Sequence, residues 1–199
     1  MSAHAYLIDD DEAIRDSLSW LLESRGVACR SYASAEEFLS AWNASLAGCI
    51  LLDIRMEGMS GPELFDVLNE RGNRLPVIFL TGHGDVPMAV SAIKKGAFDF
   101  VEKPCNDNEL ANRVIAALQL DARQRMAASD ADSVNTLIDR LSTRERQVME
   151  RILAGKLNKV IADELQISMR TVEVHRAKLF DKMGVRTAVE LAQLLAGKR

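Results

Sequence analysis

Residues 5–12 read AYLIDDDE, an apolar run of four residues followed directly by four acidic ones. The apolar run is continuous rather than alternating, which is typical of a strand buried on both faces of a sheet. A helical pattern over Asp11–Arg25 follows it. A buried strand followed by a helix is the unit from which α/β folds are built.

This unit recurs four more times before residue 121. The further apolar runs lie at residues 27–32, 49–52, 76–80 and 98–101, and the helical patterns that follow them lie at residues 34–42, 60–71, 86–95 and 108–120. The alternation predicts an α/β fold, a doubly wound five-stranded parallel sheet with helices on both faces. The flavodoxin-like strand order 2-1-3-4-5 is adopted by analogy with that class.

The composition is that of a globular protein. Of 199 residues, 48% are hydrophobic and 27% are charged, values that exclude dominant disorder and collagen-like repeats. No apolar run approaches the roughly 18 residues that a membrane-spanning helix needs, and residues 1–4 lack the pattern of a secretory signal. The three cysteines have no metal-binding or disulfide spacing. A cytoplasmic protein without a membrane partner is therefore expected.

The charge is divided unevenly along the chain. Residues 1–137 hold 12 Lys and Arg against 21 Asp and Glu, a net charge of −9, whereas residues 138–199 hold 13 against 8, a net charge of +5. A basic C-terminal part is a candidate for nucleic-acid binding, although charge alone also fits a solvated face.

The chain after residue 120 changes character. Residues 121–137 are polar and rich in Ala, which predicts a linker that is partly helical. Residues 138–199 contain only helical patterns: one up to Leu153, then residues 158–165 and 169–183, and a last one capped by Thr187. We therefore predict a domain at 1–120, a linker at 121–137 and an all-α domain of four helices at 138–199.

Polar residues follow four of the five predicted strands. Asp9 and Asp10 follow the first strand, Asp53 the third, Thr81 the fourth and Lys103 the fifth. If strands one and three are neighbours, the three carboxylates converge at the switch point of the sheet, where α/β proteins bind ligands. Converging carboxylates favour a hard cation such as Mg²⁺. With a hydroxyl and a lysine nearby, the set suits phosphoryl transfer to a carboxylate.

Each residue also has an ordinary interpretation. Acidic residues after a strand can cap a helix, and single Asp or Lys-Pro positions are common in turns. The coincidence at the ends of four strands favours a site.

Residues 1–120 resemble the receiver domain of two-component response regulators. The resemblance lies in Asp9-Asp10, LDIRMEGMSG at residues 52–61, TGHGDV at residues 81–86 and Glu102-Lys103-Pro104. It implies Asp53 as phospho-acceptor and Mg²⁺ as cofactor. The ligands that it implies for the ion are Asp9, Asp10, Asp53 and the carbonyl of Arg55. It also implies a switch hydroxyl at Thr81, a phosphate-facing cation at Lys103 and a switch aromatic at Phe100.

Two positions depart from that family's pattern. Glu57 stands where Pro is usual, which predicts a less rigid loop after Asp53, and Cys105 stands where a larger apolar residue is common. Phe100, considered without the resemblance, is equally well a core aromatic.

Residues 158–183 have the proportions of a helix-turn-helix motif. A helical wheel places Val172, Leu179 and Met183 on the inward face. The outward residues are candidates for phosphate contacts and base readout in a major groove. The predicted DNA-binding residues are Asn158, Lys159, Arg170, Thr171, Glu173, Val174, Arg176, Ala177, Lys178 and Lys182. A four-helix interaction domain is the alternative.

This C-terminal part resembles the LuxR-type helix-turn-helix. The matching stretches are LSTRE at residues 141–145, NKVIA at 158–162 and SMRTVEVH at 168–175. His175 falls beside the packing face, so a capping or core-edge role is expected for it. With the receiver, the chain is similar to the FixJ subgroup of response regulators.

The resemblance implies a transcription regulator that is not an enzyme. A sensor histidine kinase would phosphorylate Asp53, residues 85–102 would form a homodimer surface, and the C-terminal domains would bind double-stranded DNA. It also admits RNA polymerase as a partner. The alternatives are a phosphohydrolase with Asp53 as nucleophile, which the following Ile54-Arg55 disfavours, and a DNA-binding protein that is never phosphorylated.

Overall fold

The computed structural model describes residues 3–82 and 86–196, without the side chains of residues 86, 87, 89 and 131. The chain divides into two compact units, residues 1–124 and 125–199. None of the described helices has both the length and the apolar character needed to cross a membrane.

The first unit contains a five-stranded sheet. Its strands are β1 (His4–Ile8), β2 (Cys29–Tyr32), β3 (Gly48–Asp53), β4 (Val77–Thr81) and β5 (Asp99–Glu102). All neighbouring pairs are parallel, and the order is β2-β1-β3-β4-β5. The predicted α/β fold and strand order are confirmed.

Helices alternate with these strands. They are α1 (Glu12–Ser24), α2 (Ala35–Ala41), α3 (Gly61–Glu70), α4 (Val86–Lys94) and α5 (Asp107–Asp139). Every residue of β3 and β4 is buried, because apolar cores lie on both faces of the sheet. One core is built around Phe38, Leu64 and Phe79, and the other around Leu22, Leu51 and Val114.

The long helix α5 differs from the sequence prediction. The pattern predicts a helix end at Leu120 and a partly helical linker, but the helix continues through residues 121–139. This stretch contains no Gly or Pro and is rich in helix formers such as Ala, Arg, Gln and Met. Asp121 is also buried and accepts a hydrogen bond from the Gly48 backbone N–H at 2.8 Å. Residue 121 therefore belongs to the packing of the first unit, and the proposed domain boundaries stay predictions.

The second unit is helical after α5. The helices α6 (Thr143–Leu153), α7 (Asn158–Leu165), α8 (Met169–Met183) and α9 (Ala188–Ala196) enclose a core that includes Val148, Ile161 and Leu191. Gln166 adopts a left-handed conformation with φ 54° and ends α7, and the Ser168 hydroxyl caps α8. This sharp turn sets α8 beside α7 in the helix-turn-helix arrangement that the sequence predicts.

Candidate functional site

The three predicted carboxylates meet at the carboxyl end of the sheet. β1 and β3 are paired neighbours, so Asp9 and Asp10, just after β1, lie beside Asp53 at the end of β3. One carboxylate oxygen of each residue lies within 4.8 Å of the others. Asp9 and Asp53 are buried, whereas Asp10 is exposed. The donor set of three carboxylates suits a divalent cation with oxygen ligands.

Lys103 joins the two buried carboxylates. Its Nζ atom donates to Asp9 Oδ2 at 2.6 Å and to Asp53 Oδ1 at 2.5 Å. Burial lowers the pKa of Lys103, but the hydrogen bonds and charges of Asp53 and Asp9 outweigh it and raise that pKa above 10.5. The ammonium therefore stays charged at neutral pH and separates two like charges.

Asp53 has an unusual ionisation equilibrium for a carboxyl group. Burial raises its pKa above the ordinary value of 3.8, the hydrogen bond and charge of Lys103 oppose the rise, and the charge of Asp9 adds to it. The net shift is upward. The fold thus places a buried carboxylate next to the charged ammonium of Lys103.

The acidic residues that follow β1 have different roles. Asp11 caps α1 by accepting hydrogen bonds from the backbone N–H groups of Ala13 and Ile14, at 2.8 and 3.3 Å. The carboxylate of Asp9 accepts from the Asp11 N–H at 3.0 Å, and the Asp9 carbonyl accepts from Arg15 at 2.8 Å. The helix-capping interpretation is therefore correct for Asp11, while Asp9 and Asp10 face the site.

Thr81 and Phe100 extend the same region along β4 and β5. Thr81 is fully buried, and its hydroxyl has no hydrogen-bond partner within the described part of the chain. A buried hydroxyl without a hydrogen-bond partner indicates that a ligand atom supplies the missing partner. Phe100 is half-buried and packs against the core around Phe79, so both of its predicted roles remain open.

The backbone after Asp53 turns tightly into α3. The Arg55 N–H donates to Asp53 Oδ2 at 3.0 Å, and the Gly61 N–H donates to the Ile54 carbonyl at 3.1 Å. A Cβ atom on Gly61 would lie 2.1 Å from the Asp53 carbonyl oxygen, so only glycine allows this close approach. Arg55 itself is exposed.

The loop of residues 54–60 is held in a way that the sequence did not predict. The backbone N–H of Glu57 donates to Asp10 Oδ2 at 2.8 Å, and that of Met59 donates to Glu36 Oε1 at 3.2 Å. Two carboxylates outside the loop thus hold it where a proline is absent. Glu36 lies 23 residues away in the sequence, and no local pattern marks it.

Cys105 is half-buried against the core that contains Leu51. Burial is the main cause that raises the pKa of its thiol, so the side chain stays neutral there, as an apolar side chain would. His83, Gly84 and Asp85 lie outside the described residues.

The helix-turn-helix faces agree with the helical wheel. Val172, Leu179 and Met183 are buried, as predicted. The candidate residues that are exposed are Lys159, Arg170, Glu173, Val174, Ala177 and Lys178. This surface of α8, together with Lys159 of α7, combines positive charge with the apolar side chain of Val174.

The other DNA-contact candidates have partners inside the unit. Arg176 donates to Asn158 Oδ1 at 3.2 Å, and its guanidinium lies 5.0 Å from the centre of the Phe180 ring. The Thr171 hydroxyl lies 2.7 Å from that of Ser168. These contacts fix α7 against α8 and fix the start of α8. His175 has a buried Nδ1 atom without a described partner, which agrees with a core-edge position.

Lys182 differs most from its prediction as a phosphate contact. Its Nζ atom donates to Glu145 Oε2 at 2.7 Å and to the Arg140 carbonyl at 3.1 Å. The Glu145 side chain is buried, and it also accepts from the Ser142 backbone N–H at 2.7 Å. The ammonium is thus engaged within the helical unit, and we leave Lys182 out of the proposed DNA contacts.

The buried Glu145 makes the stability of the helical unit depend on pH. Burial raises its pKa, but the hydrogen bonds from Lys182 and Ser142 outweigh burial and lower that pKa below 4.5. Its stabilisation is therefore present above pH 4.5 and is lost as the pH falls through the lowered value. Glu145→Gln should destabilise the unit by about 2 kcal/mol at pH 7 and remove this acid dependence. Amide hydrogen exchange across α6 and α8, compared at pH 7 and below pH 4.5, measures the loss of stability and its dependence on acid.

Glu150→Gln is the matched control, because Glu150 lies on the same helix with an exposed side chain. It should change the stability by less than about 0.5 kcal/mol. Equal protection in Glu145→Gln and Glu150→Gln would contradict the role assigned to Glu145.

The comparisons with known families cover both units. Residues 5–115 match the family described as "Response regulator receiver domain", and residues 139–195 match "Bacterial regulatory proteins, luxR family". Relatives match along nearly the whole chain. The C4-dicarboxylate transport transcriptional regulatory protein DctR of Rhodobacter capsulatus is 47% identical, over 98% of this chain and 100% of its own length. The transcriptional regulatory protein FixJ of Azorhizobium caulinodans is 48% identical, over 98% of this chain and 94% of its own.

A solved structure agrees with these matches. The response regulator StyR superposes with a TM-score of 0.90 at 37% identity, covering 98% of this chain and 99% of its own. The two family matches cover the acidic site and the helix-turn-helix motif. The chain therefore belongs to the two-component response regulators that join a receiver domain to a LuxR-type DNA-binding domain and regulate transcription.

Proposed function

We propose that this regulator is activated when a sensor histidine kinase transfers a phosphoryl group to Asp53. The observation that carries the proposal is the contact of the Lys103 ammonium with both Asp9 and Asp53. A desolvated carboxylate next to a fixed cation is arranged for attack on phosphorus and for neutralising the charge that follows.

The chemical step needs few protein groups. A carboxylate oxygen of Asp53 attacks the phosphorus atom, a phosphorus–oxygen bond forms, and the bond from phosphorus to the donor histidine breaks. Before the transfer, Lys103 neutralises the charge of the Asp53 carboxylate. After it, the ammonium would pair with a phosphoryl oxygen instead. The buried hydroxyl of Thr81 donates its unused hydrogen bond to another phosphoryl oxygen.

The carboxylates also fit a bound Mg²⁺. Asp9, Asp10 and Asp53, with the Arg55 carbonyl, would hold it, and the ion would neutralise charge on the transferred oxygens. Three clustered carboxylates against one lysine leave an excess of negative charge for it to balance.

We further propose that phosphorylation leads to a homodimer through α4 and β5. Three side chains of α4 support this surface, because Met88, Val90 and Ile93 are apolar and yet about two-fifths exposed. Two DNA-binding units in one dimer would meet two half-sites on double-stranded DNA. RNA polymerase remains the proposed downstream partner.

The test uses the full chain with Mg²⁺ and acetyl phosphate as a small phosphodonor. Intact mass should show one added phosphoryl group per chain, and sizing chromatography should show a shift towards the dimer. A folded, Mg²⁺-binding protein that gains no phosphoryl group would overturn the proposal and favour a DNA-binding protein that is never phosphorylated. Release of many equivalents of phosphate from a phosphomonoester would instead favour the phosphohydrolase.

The DNA-binding surface makes a separate prediction. Lys178→Ala should weaken binding to an arbitrary double-stranded DNA fragment and lower the slope of log affinity against log salt by about one, because one phosphate contact is lost. Lys182→Ala should leave that slope unchanged, because its ammonium is engaged by Glu145. Fluorescence anisotropy over a salt series measures both slopes, and equal losses in the two variants would contradict this assignment.

A further inference from the structure

The loop of residues 54–60 offers one backbone group that its usual sequence would lack. Glu57 stands where the resemblance to receiver domains implies proline as the usual residue, and proline has no backbone N–H. The Glu57 N–H donates to Asp10 Oδ2 at 2.8 Å. The substitution therefore adds a hydrogen bond to one of the three clustered carboxylates.

A second carboxylate fixes the loop that carries this N–H. Glu36 of α2 accepts a hydrogen bond from the Met59 N–H at 3.2 Å. Its Oε1 atom would lie only 3.2 Å from a Cβ on Gly58, which also has a φ of +78°. Gly58, the residue after Glu57, thus leaves room for the Glu36 carboxylate beside the loop.

Asp10 is the member of the acidic cluster that most needs such support. Asp9 and Asp53 are buried and bonded to Lys103, whereas Asp10 is exposed and makes no ion pair with that lysine. An exposed aspartate loses rotamer freedom when it binds a cation. A hydrogen bond to one of its oxygens removes part of that freedom beforehand and leaves the other oxygen for the ligand.

We propose that the Glu57 N–H positions Asp10 for a divalent cation, and that Glu36 positions the loop that presents this N–H. The inference rests on the proposed function, in which Asp10 is a cation ligand. Glu36 and Glu57 act here as positioning residues. Their contribution is to cation affinity rather than to the phosphoryl acceptor itself.

The test is the Mg²⁺ dissociation constant of the full chain, measured by isothermal titration calorimetry without a phosphodonor. Glu57→Pro removes the N–H and should weaken Mg²⁺ binding about tenfold, the lower end of what the loss of an outer partner of a metal ligand costs. Glu57→Ala keeps the N–H and should bind as the wild type does. Glu36→Ala should also weaken binding, and Glu36→Gln should restore it, because its amide oxygen can accept from Met59.

The outcomes separate this inference from the proposed function. Wild-type affinity in Glu57→Pro and Glu36→Ala would overturn the inference, even if their melting temperatures fall. Equal losses in Glu57→Ala and Glu57→Pro would assign the effect to side-chain charge and would overturn it as well. If Glu57→Pro does not fold, the Glu36→Ala and Glu36→Gln pair decides alone. If the wild-type chain accepts a phosphoryl group but the variants all bind Mg²⁺ with the same affinity, the proposed function stands and the inference does not.

Discussion

Asp53→Asn is expected to abolish phosphorylation by acetyl phosphate while leaving the receiver folded. The amide is not a nucleophile, so no acyl phosphate can form at this position. The fold should tolerate the change, because the raised pKa of Asp53 indicates that an ionised group is disfavoured at this position. Burial is the main cause, and the charge of Asp9 adds to it. We expect the free energy of unfolding at pH 7 to stay within about 1 kcal/mol of the wild type. Intact mass with Mg²⁺ and urea unfolding measure the two quantities.

Asp66→Asn is the matched control. Asp66 lies in the same unit but is half exposed, pairs with Lys95 at 2.7 Å and is not a member of the acidic cluster. It should accept one phosphoryl group and shift towards the dimer like the wild type. A phosphoryl adduct that persists in Asp53→Asn would place the acceptor on another residue and would remove the basis for the proposed switch.

The acidic site could be predicted because it depends on strand order and on local pattern together. Continuous apolar runs mark the buried strands, and the residues that follow them fall at one edge of a parallel sheet. Asp9, Asp53 and Lys103 are brought together in this way although up to 94 residues separate them. Asp11 required the structure, because a capping aspartate and a site aspartate look alike in sequence.

Other features have no signature in the sequence. Glu36 and Lys182 act through partners 23 and 37 residues away, and only tertiary packing brings those pairs together. The length of α5 differs from the prediction for another reason. Residues 121–137 lack a deep apolar stripe, so periodicity predicts a linker, whereas intrinsic helix propensity favours the helix that the structure has.

Lys103→Met is expected to give the largest loss of stability in the receiver. The substitution leaves the buried carboxylates of Asp9 and Asp53 facing each other without the ammonium that lies within 2.6 Å of both. Removing one partner of a buried ion pair costs about 3–5 kcal/mol. We expect about 3 kcal/mol at pH 7, since the Lys103 side chain is 21% exposed. Urea unfolding of the full chain, followed by signals from the first unit, measures the loss.

The cause of this loss can be tested by its dependence on pH and on cations. In the wild type, the raised pKa of Lys103 keeps its ammonium charged at neutral pH, and the stabilisation that this charge provides is lost as the pH rises through that value. In Lys103→Met, the pKa of one carboxyl should rise further, so stability should recover as the pH falls below 7 and as Mg²⁺ is added. Lys103→Arg, which keeps the charge, should lose less. If neither acid nor Mg²⁺ restores Lys103→Met, the loss comes from packing of the side chain, and the electrostatic role of Lys103 at this site is refuted.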